Sequence, residues 1–347
     1  MAYIDYPYAV SFLNLKLPLL PLDEESLSPE KNAWAVRLSL QWINVWSYQL
    51  SRFIVDGEEA QLTPTLRLAL SRRDQIGLSL PLKVAGGGVL DPYVEGFHRM
   101  VGAEQSKRDL YQANRLNIRY EPLGAFYWAL DNDPLLTLLR AYDVRQNPRA
   151  KDGGRIWDIL GFARPAYLEV VPFQEKEISG PGNARFFYQR VFFRRSGGFI
   201  EQVKGGVQFK LPTSGHRYLG SPGVDSSVFI TVGQKKKTRG VAWRLGASYT
   251  ILSPEQYLFF TLPGRLWTVR PAADFFWGSK WEASLEYVYF SATVKNLGRL
   301  SKPGHQLALA FRRQEDDQKL TVAIIEDFAN FSVTPDIGFH FSFEVKR

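Results

Sequence analysis

The sequence predicts an all-β fold, an antiparallel transmembrane β-barrel of about sixteen strands, within a range of roughly twelve to sixteen, with one short helix inserted in an early long loop. Three observations point there. Apolar and polar side chains alternate over segments of about ten residues from Ala33 to the C-terminus. The links between segments alternate short and long. No stretch holds the roughly eighteen uninterrupted apolar residues that a membrane-spanning helix needs.

A strand sends successive side chains to opposite faces, so each segment sorts into two sets. In 34–46, Trp34, Val36, Leu38, Leu40, Trp42 and Trp46 oppose Arg37, Ser39 and Gln41. Segment 62–72 sets Leu66, Leu68 and Leu70 against Thr65, Arg67 and Ser71, and 75–84 aligns Ile76, Leu78, Leu80, Leu82 and Val84. Strands are also expected at 115–121, 124–131, 155–162, 166–177 and 185–195. In 199–211, Val203, Val207, Phe209 and Leu211 alternate with Gln202, Lys204, Gln208 and Lys210. Lysines at that spacing do not suit a dry core. After 226–234, the segment 239–252 opposes Val241, Trp243, Leu245, Ala247, Tyr249 and Ile251 to Arg244, Gly246, Ser248 and Thr250. After 266–277, segment 280–292 opposes Trp281, Ala283, Leu285, Tyr287 and Tyr289 to Glu282, Ser284 and Glu286. Segments 304–313 and 318–327 precede the last, where Ile337, Phe339, Phe341, Phe343 and Val345 face away from Gly338, His340, Ser342 and Glu344.

Two environments suit such strands: a soluble sandwich, or a membrane barrel with lipid outside and a wet lumen. A sandwich of 347 residues would need two domains, and nothing reads as a linker between them. Lipid also accounts for the aromatic content of 14%, since Trp and Tyr favour membrane interfaces, and Trp34, Trp46, Trp281 and Tyr289 fall near strand ends. A closed barrel removes the unpaired edges that hydrocarbon would not tolerate. The mean hydropathy of −0.21 is what alternation produces and does not oppose a membrane home. The expected organisation is one barrel over 33–347 preceded by an N-terminal extension or partial plug at 1–32.

Short links, "SRRDQ", "EPLG", "RRSGG", "QKKKTR", "WGSK" and "RQEDDQ", alternate with longer ones near 54–63, 85–114, 132–154, 212–225, 253–265, 293–304 and 328–336. This is the spacing of periplasmic turns and outer loops. Keeping both chain ends on one side makes 155–162 a strand and sets the count near sixteen. The N-terminal stretch "MAYIDYPYAVSFLNLKLPLLPLDEES" has no basic residue before its apolar part, so it does not look like a secretory signal. Met1-Ala2 reads as an added start on a mature sequence whose signal was left out.

Composition removes several functions. With no cysteine there are no disulfides, thiolate catalysis or iron–sulfur clusters. The net charge of +8 is spread along the chain, so nucleic acid is not an expected partner, and the one dense run, "KKKTRG" at 235–240, reads as a solvated turn. There is no Gly-x-Ser-x-Gly elbow, phosphate-binding Gly-Lys-Ser/Thr loop or His-Glu-x-x-His helix. With His98, His216, His305 and His340 as the four histidines, a Ser/His lipid hydrolase is a third-rank reading. No cofactor or metal is expected.

In the final segment, Gly338, Phe341 and Phe343 resemble the C-terminal assembly signal of Gram-negative outer-membrane barrels, departing from it by continuing through "EVKR". Further upstream, "NVWSYQ" (44–49), "DGEE" (56–59) and "GGGVLDPYVEGFHRMVG" (86–102) resemble an uncharacterised family of Gram-negative outer-membrane β-barrel proteins, a domain of unknown function. The resemblance implies fold and location, with outer-membrane lipid, lipopolysaccharide and the barrel-assembly machinery as partners. It brings no activity to carry over.

Asp91-Pro92 makes a sound helix start, with Asp at the N-cap and Pro at the first position, and the helix is expected near 90–101. Leu90, Val94, Phe97 and Val101 share a face, while Asp91, Glu95 and His98 lie opposite. Those three are a candidate ligand site; capping by Asp91 and a solvated polar face is the plainer reading, and the glycines 86–88 allow the helix to fold into the barrel mouth or rest on its rim. The residues expected to line the lumen are Arg37, Gln41, Lys204, Gln208, Lys210, Arg244, Glu282, Glu286 and His340. They select solutes in an open pore or pair with one another in a closed one. The expected function is a passive channel or transporter for small or amphipathic solutes. The alternative is a scaffold barrel, plugged by its N-terminal residues or the helix, that anchors a periplasmic or surface partner.

Overall fold

The computed structural model describes residues 33–49, 53–101, 117–120, 168–169, 177–215, 219–234, 238–253, 256–257, 260–295, 301–329 and 337–347. In chain order the elements are β1 (Trp34–Gln49), β2 (Phe53–Ala69), β3 (Asp74–Ser79), β4 (Leu82–Gly86), α1 (Asp91–Val101), β5 (Asn117–Tyr120) and β6 (Leu168–Glu169). Then come β7 (Ile178–Pro181), β8 (Arg185–Arg194), β9 (Gln202–Lys210), β10 (Asp225–Gly233), β11 (Arg239–Ile251), β12 (Gln256–Tyr257) and β13 (Phe260–Thr261). The chain ends with β14 (Arg265–Trp277), β15 (Trp281–Phe290), β16 (Gly304–Glu315), β17 (Gln318–Ala329) and β18 (Ile337–Lys346).

β3 and β4 hold one register against β2, with Ser79 opposite Thr65 and Leu82 opposite Leu62, so they form a single strand interrupted at Leu80-Pro81. Proline has no N–H to give a ladder, which explains the break. Its carbonyl still accepts from Gly182 N at 2.8 Å, where the next strand is interrupted in turn between β7 and β8. With each interrupted pair counted once, twelve antiparallel strands close the ring: β1, β18, β17, β16, β15, β14, β11, β10, β9, β7/β8, β3/β4 and β2, which pairs back to β1.

Twelve stands at the bottom of the expected range, and the figure of sixteen is not borne out. Of the four surplus segments, 124–131 and 155–162 lie outside the described residues. Within 115–121 and 166–177 the described strands are β5 and β6, which extend the outer end of β2 and each other instead of entering the ring. Alternation suits a flap strand as well as a wall strand, so it cannot separate the two. The expected link at 54–63 is also corrected: these residues belong to β2 and pair with β1 from Phe53 onward.

The start of β1 and the C-terminus meet at one end of the barrel, where Trp34 N donates to Arg347 O at 2.7 Å and Arg347 N to Trp34 O at 2.8 Å. The strand ends joined by the short links after β2, β8, β10, β14 and β16 lie at that same end, and those joined by the longer links after β9 and β11 at the other. At the two-residue turn between β16 and β17, Asp316 takes φ 48°, a left-handed conformation that Asp tolerates.

The faces follow the alternation. Outward residues such as Leu66 (53% exposed) and Phe341 (45%) form a continuous apolar band, which in water would be an aggregation surface and in lipid costs nothing. Aromatic rings border it. Trp34, Trp277 and Trp281 lie toward the turn end, with Arg347 and Arg313 over the rings of Trp34 and Trp281 at 6.0 and 5.6 Å. Trp267 and Tyr289 pack 5.3 Å apart toward the loop end. Trp46 departs from expectation: it is buried by protein, because β1 continues past the band and alternation does not mark where lipid stops.

Candidate functional site

The inward face is polar and tightly paired. On the wall formed by β11, β14, β15 and β16, Arg244 grips Asp274 with two bonds of 2.6 Å and reaches Glu286 at 3.3 Å. Arg270 donates to Glu286 at 2.5 Å, and Arg312 donates to Glu282 at 2.5 Å, Ser284 at 2.6 Å and Glu286 at 3.1 Å. Ser284 donates to Asp274. Local sequence permits this convergence. Glu286 stands between Ala272 on one neighbouring strand and Ala308 on the other, so arginines from adjoining rows can reach it over the small side chains. Arg244, Arg270 and Arg312 meet Asp274, Glu282 and Glu286, leaving no net charge. Each contact runs along the wall between strands, stapling it instead of bridging the lumen.

A second group lines the rest of the wall. Arg67 passes over Ala35 of the intervening β1 to pair with Glu344 at 2.6 Å. Lys83 lies 3.6 Å from Glu59, and Lys210 2.8 Å from Asp225. Gln61 donates to Gln41 at 3.3 Å. A third feature is apolar: Val288, Phe290, Ala308, Ala310, Ala323 and Ile325 form one buried inward cluster, joined by Phe187 from the far side of the ring. Val288, Phe290 and Ile325 lie toward the loop end, while Ala308 and Ala310 stand level with Glu286 and Ser284 of the charged network.

The structure places Arg37, Gln41, Lys204, Gln208, Lys210, Arg244, Glu282, Glu286 and His340 on the inward face, all buried. It brings Arg244, Glu282 and Glu286 into one network; Lys210 and His340 lie elsewhere on the wall. In β18, Gly338 faces inward, where a Cβ would stand 3.2 Å from Ile43, and Phe341 and Phe343 face outward. Arg270, Asp274 and Arg312 were not singled out from sequence, although the parity that selects Arg244 and Glu286 would have selected them within 266–277 and 304–313.

At the helix, Leu90 O accepts from Val94 N at 2.9 Å, so Leu90 is the N-cap and Asp91, the expected cap, is instead the first helical residue. Asp91 is buried and accepts from Asn44 Nδ2 at 2.9 Å. Glu58 accepts from Trp42 Nε1 at 2.9 Å and from Leu90 N. Asp91 is thus turned to the barrel wall, and Glu95 is half-exposed. The side chain of His98 lies outside the described residues. Among those described, no group of three or more His, Cys, Asp or Glu is placed to hold a metal ion.

Comparison with known proteins adds the following. A family model described as "Protein of unknown function (DUF3187)" matches residues 8–128 and 202–346. No curated protein matches in sequence. Among solved structures, the chain is similar to the COG4313 outer membrane channel from Pseudomonas putida F1, with a TM-score of 0.54 at 9% identity, covering 94% of this chain and 99% of that one. That likeness is one of fold. A Pseudomonas aeruginosa FadL homologue (10% identity, 90% of each chain) and the Ralstonia pickettii toluene transporter TbuX (7% identity, 92% of this chain and 89% of that one) match more loosely, both with a TM-score of 0.37.

Proposed function

Since the chain belongs to the protein family of unknown function DUF3187, we propose that it resides in the outer membrane of a Gram-negative bacterium as a channel or transporter for small amphipathic solutes. The short turns and the C-terminus then face the periplasm and the longer loops face out. Assembly by the barrel-assembly machinery fits the Gly338, Phe341 and Phe343 pattern of the last strand.

The observation that carries this reading is the division of the inner wall. The inner wall carries an apolar cluster, with Val288, Phe290 and Ile325 toward the loop end, Ala308 and Ala310 level with Glu286 and Ser284, and Phe187 reaching it from the far side, and beside it a wall whose arginines and carboxylates balance. An apolar body is favoured along the first part, and neither ionic sign is favoured at the second. Purified protein in a planar bilayer is expected to give steady conductance with weak ion selectivity, and liposomes bearing it to admit short-chain alkylphenols faster than sugars of similar size. A silent bilayer with impermeable liposomes would contradict the proposal.

The burial of the inward side chains favours a second reading, the scaffold barrel, which predicts that silent bilayer together with a co-purifying partner. A lipid hydrolase has less support. Among the described residues His340 Nδ1 has no hydrogen-bond partner, and His305 Nδ1 is engaged with Tyr287 OH at 2.6 Å. Phospholipid hydrolysis abolished by replacing a single histidine would establish the enzyme.

A further inference from the structure

α1 packs on the outside of the barrel. Leu90 and Val94 cluster with Ile337, and Trp42, Ile324 and Phe339 pack against them. All four partners carry the outward parity: Trp42 with Val36, Leu38 and Leu40, Phe339 with Phe341 and Phe343, Ile324 with Leu320 and Val322. The polar anchors share it. Asn44 and Glu58 lie directly opposite each other on β1 and β2, on the face that bears Leu40 and Leu62, and they receive Asp91 and Leu90 N from the helix. The helix therefore crosses the seam where β1 meets β18, outside the wall.

Its height is fixed by the strand beneath it. From Trp34 at the turn end to Trp42 are eight residues, which at ~3.3 Å each and a tilt of ~40° rise about 20 Å. An outward apolar band is about 25 Å tall, so α1 sits at its outer margin. The helix has a second apolar edge. Tyr93 and Met100 are 73% and 76% exposed and, with Leu90 and Val94, complete an apolar stripe about 120° wide. Asp91, Glu95 and Arg99 lie off this stripe. One edge of the stripe is spent on the wall. The other, with Tyr93 and Met100, is exposed at the margin of the hydrocarbon-facing band.

We infer that α1 is an interfacial helix seated in the corner between the barrel wall and the outer leaflet, with Tyr93 and Met100 inserted among lipid acyl chains just below the headgroups. An exposed apolar edge at the margin of a lipid-facing band finds the same solvent there, and a tyrosine satisfies its ring in the chain region and its hydroxyl at the polar boundary. The occupant is the membrane itself. This is independent of whether the lumen conducts.

The chain has no cysteine, so single nitroxide labels are clean probes. Tyr93→Cys and Met100→Cys would be labelled and reconstituted, at low protein-to-lipid ratio, into phosphatidylethanolamine/phosphatidylglycerol vesicles, with Phe341→Cys as the lipid reference and Asp316→Cys as the solvent reference. Collision with oxygen is expected to exceed collision with a water-soluble nickel complex at 93 and 100, as at 341, and the order is expected to reverse at 316. Adding Asn44→Leu, which removes the bond to Asp91, should shift both labels toward the solvent order. Nickel collision exceeding oxygen at 93 and 100 in the otherwise native chain would overturn the inference. So would dipolar broadening between labels, which would show a second copy covering the helix.

Discussion

Glu286→Gln lowers the stability of the folded barrel by about 3–5 kcal/mol, the range for removing one partner from a buried ionic cluster. Glu286 has no exposed surface and serves three cations, Arg270, Arg244 and Arg312. Asp274 and Glu282 would remain for three guanidiniums, leaving one positive charge uncompensated inside the wall. The amide also offers one acceptor oxygen where the carboxylate offers two. Two comparisons separate charge from packing. Glu282→Gln should cost less, because Arg312 keeps Glu286. Adding Arg270→Leu to Glu286→Gln should recover part of the loss by restoring the balance. Urea unfolding in detergent, followed by the gel mobility of the folded form, measures all three. If the lumen conducts, the single variant should also shift selectivity toward anions.

Gly88→Ala detaches α1 while leaving the ring closed. Gly88 adopts φ +66°, which costs a residue with a Cβ about 1–2 kcal/mol. The added methyl would overlap the Glu58 carboxyl, the acceptor for Trp42 Nε1 and Leu90 N. Strain and a displaced anchor act together, so the helix should leave the wall and become a site of protease cleavage. Gly96→Ala is the counterpart. Its Cβ would meet nothing within 4 Å, and alanine in a helix interior gains about 1 kcal/mol over glycine. Limited proteolysis of intact vesicles should show faster cleavage within 87–101 in the first variant and slower cleavage in the second, with the ring resistant in both.

The two faces of the wall were legible because a strand sends successive side chains to opposite faces and the outward set inside the band is apolar. Ser39, Gln41, Gln208 and Ser284 mark the interior as plainly as Leu38, Leu40, Val207 and Leu285 mark the exterior. What alternation could not supply was membership of the ring. The segments around 117–120 and 168–169 carry a strand pattern and still pair outside it. The charged network was half legible: Arg244, Glu282 and Glu286 have the right parity, but which cations meet which carboxylates depends on the stagger between strands and on Ala272 and Ala308 leaving room. The docking side of α1 was hidden for a related reason, since an apolar helix face does not say which apolar surface it covers. The clue was present nonetheless. Asn44 and Glu58 are polar residues on the outward parity, and a polar group there must either leave the lipid or be covered.

The alternation along β18 tests the central claim, that hydrocarbon lies outside this cylinder and paired polar groups lie within. Single cysteines at Phe339, His340, Phe341, Ser342 and Phe343 would be labelled with bimane and the protein placed in vesicles whose acyl chains carry bromine. Strong quenching at 341 and 343, partial quenching at 339 beneath α1, and none at 340 and 342 is the predicted result. Quenching that fails to alternate, or that is strongest at 340 and 342, would contradict it.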